Sequence, residues 1–400
     1  MTGTAAPAGL VHGMGKNLVE PDWSPLSRDE VSAVLAQFTT PATGQARSPG
    51  AGPQDAGGGT VVTWRSPRPM SAAALVNGGG GAVFVKRHHT RVRSAAQLAA
   101  EHAFAAHLAA HGVPVPAVRR TLAGATTLAG DDFVYEVHEV APGLDLYREA
   151  MSWTPFTSLG HARAAGAALA RLHQAAAGFR HPARAPGVLT NSCAVIAAAD
   201  PLAEVDAMAG QRPGLGRYLG TRDWRDDFAR HLLPAIHRAA PLLAALEPQW
   251  GHGDWHPSNL TWDSPAPDGQ VAAVFDFGLA NRTFAVHDLA IALERSTVGW
   301  LELTGTGRAG ADLSAISALL DGYESVRPLS PAEAAALAEV VPVAHVEYAL
   351  SEIEYFADVV HSPANADLAY DTYLIGHARW FAEPAGSAML GRLRQRPGRR

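Results

Sequence analysis

The chain reads as an α+β protein with a bilobal organisation, a small β-rich lobe with one helix followed by a larger, mainly α-helical lobe. Three observations point to it: closely spaced β-type runs between residues 60 and 140, a Pro142-Gly143 break, and helical periodicity from there onward. Four hundred residues supply ample material for two buried cores.

Residues 1–24 read as an extension. Residues 30–38 form a short amphipathic helix with Val31, Val34 and Leu35 on one side, and the Pro/Gly/Ala-rich stretch 40–59 reads as a flexible connector, so 1–59 is assigned as extension and connector. Alternating runs at 60–65, 72–76 and 82–86, the last after Asn77-Gly78-Gly79-Gly80-Gly81, predict an antiparallel meander. A helix over 94–111 is stopped by Gly112 and the prolines Pro114 and Pro116. Strands near 118–122 and 133–140 complete a first lobe of residues 60–141. The second lobe, 142–390, has predicted helices at 158–177, 224–246, 288–293, 313–323, 331–340 and 344–360. Residues 391–400 read as a basic, solvated tail.

Apolar residues make up 47% and charged residues 18% of the chain, which fits a globular protein. A net charge of -6 and a pI near 6.3 argue against nucleic acid as a partner, because backbone phosphates are gripped by clustered Lys and Arg. Cys193 is the single cysteine, so no intramolecular disulfide forms, and a reducing cytoplasm is the expected setting. No basic-then-apolar leader and no run approaching a membrane span is present, and no HExxH pair occurs among the 18 histidines. His12-Gly13-Met14-Gly15-Lys16 is too short to be a Walker loop and follows no predicted strand.

The informative run is His252-Gly253-Asp254-Trp255-His256-Pro257-Ser258-Asn259, followed by Asp276-Phe277-Gly278 at the end of the apolar strand 271–275. Two short strands bracket Pro265-Ala266-Pro267-Asp268-Gly269 between them. Either half alone also fits a turn with polar caps. Together they form the set that phosphoryl transfer needs: a carboxylate to orient a hydroxyl and take its proton, and a carboxylate and an amide oxygen to hold magnesium against the phosphates. Upstream, Lys86 ends the alternating run Val83-Phe84-Val85-Lys86. Glu101 shares a helical stripe with Leu98, Ala105 and Leu108, where a carboxylate is costly unless paired, and Lys86 is its natural partner.

The order Lys86, Glu101, Pro142-Gly143, His252-Gly253-Asp254 with Asn259, and Asp276 resembles the aminoglycoside phosphotransferase family. That family shares a protein-kinase-like fold with choline kinases and one class of homoserine kinases. The resemblance spans about 61–293 and is most specific in HGDxHxxN. It implies Asp254 as catalytic base and Asn259 and Asp276 as Mg2+ ligands. Lys86 would contact the α and β phosphates of ATP or GTP, oriented by Glu101, while Glu139, Val140 and Ala141 would be the hinge that meets the purine. His252 and Asp288 would brace the catalytic loop, and Asp288 also fits an N-cap for a helix starting at Leu289. The loop Ser66-Pro67-Arg68-Pro69-Met70-Ser71-Ala72 departs from the kinase pattern because it lacks glycine. Its Met70-Ser71 pair is similar to one in some antibiotic phosphotransferases, which makes Ser71 a phosphate contact, with Arg68 adding charge.

The acceptor is less legible. Glu347, Ser351, Glu354 and Asp358 run beside an apolar stripe, as a pocket wall for a cationic acceptor such as an aminoglycoside or as a solvated face. Tyr348, Tyr355 and further aromatics in the same region fit a core or a stacking surface for a nucleoside. The expectation is an O-phosphotransferase acting on a small-molecule hydroxyl, with an antibiotic-modifying or self-resistance role as a special case. A homoserine- or choline-type metabolite kinase and a nucleotide-binding pseudokinase are the alternatives. A protein kinase would carry an Arg beside Asp254, where this chain has Gly253, and more than 277–287 between Asp276 and Asp288.

Overall fold

The structure, a computed structural model, describes residues 11–13, 18–40, 59–78 and 80–396. Most of the 40–59 connector, Met14–Lys16, Gly79 and the last four residues of the basic tail lie outside them. The chain divides into two compact units, Met1–Ala106 with Pro114–Pro142, and His107–Val113 with Gly143–Arg400.

The first unit opens with a two-residue ladder, β1 (Val11–His12) on β2 (Leu18–Val19), and helix α1 (Arg28–Leu35). Strands β3 (Val61–Arg65), β4 (Ala72–Gly78) and β5 (Gly81–His89) are followed by helix α2 (Ala95–Ala110), whose residues from His107 on count with the second unit, and by β6 (Leu128–Ala129) and β7 (Phe133–Glu139). The five strands form an antiparallel sheet in the order β3-β4-β5-β7-β6. Strand alternation sends Val83 and Val85 to one face, where they pack with Val76, Val137 and the α1 residues Val31 and Val34. Phe84, Lys86 and His88 take the other face.

Helix α1 is therefore part of the sheet's core and not of an extension separate from it. Ser27 and Glu30 close a capping box at its start, and the Glu30 carboxylate accepts from Arg87 Nη1 at 2.7 Å and Tyr135 Oη at 2.9 Å. The predicted strand at 118–122 is absent because its amides are divided among different acceptors: Arg119 donates to Val137, Thr121 to Ala125 and Leu122 to Gln37.

The second unit contains α3 (Leu159–Ala176), α4 (Pro201–Gln211), α5 (Pro213–Leu219), α6 (Trp224–Asp227), α7 (Leu233–Leu243), then β8 (Gln249–Gly251), β9 (Leu260–Trp262), β10 (Val271–Val274) and β11 (Asn281–Thr283). Helices α8 (Ala285–Thr297), α9 (Trp300–Thr306), α10 (Leu313–Val326), α11 (Pro331–Val340), α12 (Val346–Glu354), α13 (Pro363–Leu368), α14 (His377–Ala382) and α15 (Pro384–Arg394) complete it. No helix of the described residues is long and apolar enough to cross a membrane.

Two predicted continuous helices are interrupted. The 224–246 helix widens into a π-helical turn at Phe228–Leu232, just before Pro234, which has no N–H to donate back to that turn. The 344–360 helix widens at Tyr355–Val359, where Val360 donates to Tyr355 five residues back. The described part of the basic tail is docked and not solvated: Arg394 pairs with Glu339 at 2.8 Å and Arg396 with Glu324 at 2.8 Å.

Helices α3 and α10 cross at a reciprocal glycine contact. A Cβ on Gly166 would collide with the Leu319 carbonyl, and one on Gly322 with the Arg163 carbonyl. Neither obstacle is a movable side chain, so the backbones themselves would have to separate. Gly166→Ala and Gly322→Ala should each lower the unfolding free energy by about 1–3 kcal/mol. Denaturant melts matching the unsubstituted protein would show that the crossing has slack.

Candidate active site

Two nested antiparallel pairs, β8 with β11 and β9 with β10, carry the motif residues. The catalytic loop leaves β8 at His252, and Asp276 follows β10. His252 Nδ1 accepts from the Asp254 amide at 3.2 Å, which leaves Nε2–H to donate to the Phe275 carbonyl at 3.0 Å. One neutral imidazole thus ties the loop to the segment before Asp276, and burial holds its pKa below the usual value.

Gly253 has φ +75, and a Cβ there would collide with the Leu279 carbonyl oxygen. The Asp288 carboxylate accepts from the His252 and Gly253 amides, each at 2.7 Å. Helix α8 begins at Ala285, so Asp288 sits in its first turn and is not the cap of a helix starting at Leu289. Behind it, Arg327 Nη1 donates to Tyr323 Oη at 2.9 Å, Tyr323 donates to His173 Nδ1 at 2.7 Å, and His173 Nε2 donates to Asp288 at 3.0 Å. Burial works to raise the Asp288 pKa, but these donors outweigh it and hold the carboxyl below its ordinary value.

Asn259 Nδ2 donates to the Asp254 carbonyl at 2.9 Å and to its carboxylate at 3.2 Å. Only the side-chain oxygen of Asn259 is then left for a cation, the atom a hard divalent ion selects. Asp276 is exposed and held at φ +62, a backbone conformation that costs a non-glycine residue on the order of 1–3 kcal/mol. The donor set at Asn259 and Asp276 therefore fits a divalent cation.

Asp254 is partly exposed and pairs with Arg295 Nη1. Burial opposes its ionisation, yet His256 and Arg295 hold its carboxyl far below the usual range. Every residue of α8 is buried, and its charges are each paired: Asp288 with His173, Glu294 with His377 at 2.9 Å, and Arg295 with Asp254. The Arg295 guanidinium lies 5.1 Å from the Trp153 ring and 4.7 Å from that of Tyr348. Trp153 has φ +64 and meets Tyr373 edge-on at 5.6 Å. Buried Glu352 accepts from the Tyr348 hydroxyl, and its pKa is pushed by burial up to about 8.

Among the predicted acceptor residues, Tyr348 belongs to this cluster and the others do not. Glu347 accepts the Ile196 amide at 3.4 Å as well as that of Val195, Glu354 pairs with Arg212 Nε at 2.6 Å, and Asp358 pairs with Arg217. The acidic stripe is not a solvated face: Arg212 and Arg217 take the charges of Glu354 and Asp358, and the 195–196 turn packs its amides on buried Glu347. Tyr355 is fully buried against Phe356. Arg295, Glu352 and Trp153 escaped the sequence reading, although Arg295 lies two helical turns beyond Asp288, a spacing that places both on one face.

In the first unit Lys86 is opposite Glu136 in the β5–β7 register. Lys86 and Glu101 both act on the ring of His102, Glu101 favouring its protonated form and Lys86 opposing it. Glu136, another residue the sequence reading passed over, is buried and receives His102 Nε2 at 2.5 Å and His88 Nε2 at 2.9 Å. Ser71 is half-buried just before β4. The Glu139 amide donates to the Ala117 carbonyl at 2.8 Å and its carboxylate pairs with Arg119.

The model of the phosphotransferase enzyme family matches residues 71–329. The chain belongs to that family. A homoserine kinase of Gluconacetobacter diazotrophicus is 29% identical over 265 residues, 65% of this chain and 69% of that protein. One of Gluconobacter oxydans is 32% identical over 203 residues, covering 50% of this chain and 54% of that one. Among solved structures, the microcompartment-associated aminopropanol kinase aligns with a TM-score of 0.53 at 17% identity, covering 91% of this chain and 99% of that one. Amicoumacin kinase hAmiN, in complex with AMP-PNP and Ca2+, aligns with a TM-score of 0.50, also at 17% identity, covering 85% of this chain and 90% of that one. The fold is that of the protein-kinase-like phosphotransferases, and the chain is a small-molecule phosphotransferase.

Asp288→Asn in this phosphotransferase should place an NH2 group against an amide donor and destabilise it by about 1–3 kcal/mol. Because the folded pKa is lowered, the carboxylate's contribution is present above the unfolded value of about 3.9 and is lost as pH falls through the folded one. The stability gap between the two proteins should be full at about pH 7 and narrow below about pH 4. Melts across that range showing no gap at neutral pH would remove Asp288 as the brace.

Proposed function

We propose that this phosphotransferase is a Mg2+- and nucleoside-triphosphate-dependent kinase for a small amino-bearing alcohol, of the hydroxy amino acid or amino alcohol class. The acceptor hydroxyl attacks the γ-phosphorus as the bridging P–O bond to the nucleoside diphosphate breaks, and the hydroxyl proton passes to Asp254. Mg2+ held by Asn259 and Asp276 would neutralise triphosphate charge. Lys86, oriented by Glu101, grips the α and β phosphates, and the hinge at Val140 and Ala141 receives the purine of ATP or GTP. Ser71 contacts phosphate.

A carboxylate held as acidic as Asp254 is a weak base. It suits a loose transition state, in which the nucleophile is aligned first and loses its proton late. The observation that carries the acceptor class is the Arg295 guanidinium between Trp153 and Tyr348, with one edge on Asp254 and Glu352 behind Tyr348. One buried cation and one titratable carboxyl beside the base suit a small zwitterion or amino alcohol. A polycationic aminoglycoside needs several free carboxylates, and Glu354 and Asp358 of the acidic stripe are already paired with Arg212 and Arg217. The homoserine kinases among the relatives support the same class.

A nucleotide-consumption screen with homoserine, aminopropanol, choline, aminoglycosides and nucleoside antibiotics, run with ATP and GTP, tests the reading. Stimulation by the first two is expected, and stimulation by an aminoglycoside alone would overturn it. Asp254→Ala should lower turnover by on the order of 10²-fold or more while nucleotide binding persists. Near-normal turnover would remove Asp254 as the base. Glu352 is protonated at neutral pH and ionises near 8, so a cationic acceptor should bind better, and its KM should fall, as pH rises through about 8. The same pH dependence in Glu352→Gln would exclude this carboxyl from the acceptor site.

A further inference from the structure

Three buried side chains from separate segments converge beneath the catalytic loop: Cys193 from the turn before α4, His287 from the first turn of α8 and Glu347 from the first turn of α12. Their ligand atoms all lie within 4.8 Å of one another. The mechanism uses none of them. His287 Nε2 donates to the Ala344 carbonyl at 3.3 Å, which leaves Nδ1 as a lone pair, and Nδ1 has no hydrogen-bond partner among the described residues. Glu347 Oε1 accepts the Ile196 and Val195 amides, and Oε2, equally buried, also has no partner. An unmatched imidazole nitrogen and an unmatched carboxyl oxygen beside one buried thiol require an explanation, since a buried polar atom left unmatched costs about 1–3 kcal/mol.

We propose that Cys193, His287 and Glu347 form a structural site for a zinc-class divalent metal ion. The donors are a thiolate, an imidazole and a carboxylate, the soft and intermediate set that zinc and cobalt select, whereas magnesium takes oxygen. The imidazole and the carboxylate are already oriented through their other atoms by backbone groups, as ligands in metal sites are. A thiolate and a carboxylate around a dication leave no net charge in a dry interior. Without metal, burial pushes the Glu347 carboxyl up to about 8 and the Cys193 thiol well above its usual value, so metal entry displaces both protons. The Thr283 hydroxyl bonds to Cys193 as an outer support.

The site would tie together three segments that bear on the catalytic loop. His287 precedes the brace Asp288, and Asn191, two residues before Cys193, donates to the Gly253 carbonyl at 3.2 Å. Because the ligands are sealed, the ion is taken up during folding.

The test is to refold the full chain from denaturant with Co2+ or Zn2+, in excess Mg2+ to fill oxygen sites, and to gel-filter before measuring. Cys193 is the only cysteine, so a thiolate-to-cobalt charge-transfer band has no other source. One metal equivalent that resists chelator, the band, and a thermal midpoint on the order of 5–10 °C above the metal-free protein are expected. Cys193→Ser should lose the band and the shift, and Glu347→Gln should lose metal retention while still accepting the two amides. If Cys193→Ser fails to fold, the unsubstituted chain decides. Absence of the band together with equal midpoints with and without metal would overturn the proposal and leave a buried water as the occupant.

Discussion

The Asp288 carboxylate, fully buried, accepts both amides that open the catalytic loop, and much of the second unit is arranged around that one group. A buried anion is tolerable only where donors surround it. Here they come from His173 and from the loop itself, and His173 in turn is fixed by Tyr323 and Arg327. Tyr323 and His173 reach each other because α3 and α10 approach to backbone distance at Gly166 and Gly322. A packing constraint between two helices is thereby converted into the position of the loop that carries Asp254.

What could be read from the sequence follows from how local each signal is. The strands at 72–78 and 81–89 and the helices α3, α10 and α11 were legible because one face is buried and the period shows it. Helices α4 and α5 were passed over, although Asp200 caps α4 and Pro201 and Pro213 stand at the first positions of the two. The place of α1 was not legible, because its attachment runs through Glu30, Arg87 and Tyr135, which lie far apart in the chain. The catalytic run was legible as a motif, since its residues lie within one short loop. His173 and Tyr323, which hold Asp288, come from two other helices and carry no motif of their own.

The charged side chains misled for one physical reason. A stripe of Glu347, Glu354 and Asp358 looks the same in sequence whether it faces water, a ligand or another helix. The outcome was set by Arg212, Arg217 and the Val195 and Ile196 amides, more than a hundred residues earlier. Arg295 shows the converse. It stands in a helix buried on every side, where an arginine is tolerated only with a partner, and the partner is Asp254 of the HGDxHxxN loop.

Gly253 links these points. Its φ of +75 and the nearby Leu279 carbonyl exclude any side chain beside Asp254, so no arginine can occupy the preceding position. The cation that tunes Asp254 arrives instead from behind, on α8, flanked by Trp153 and Tyr348. A guanidinium held this way is anchored within the helical unit and depends on no external segment for its position.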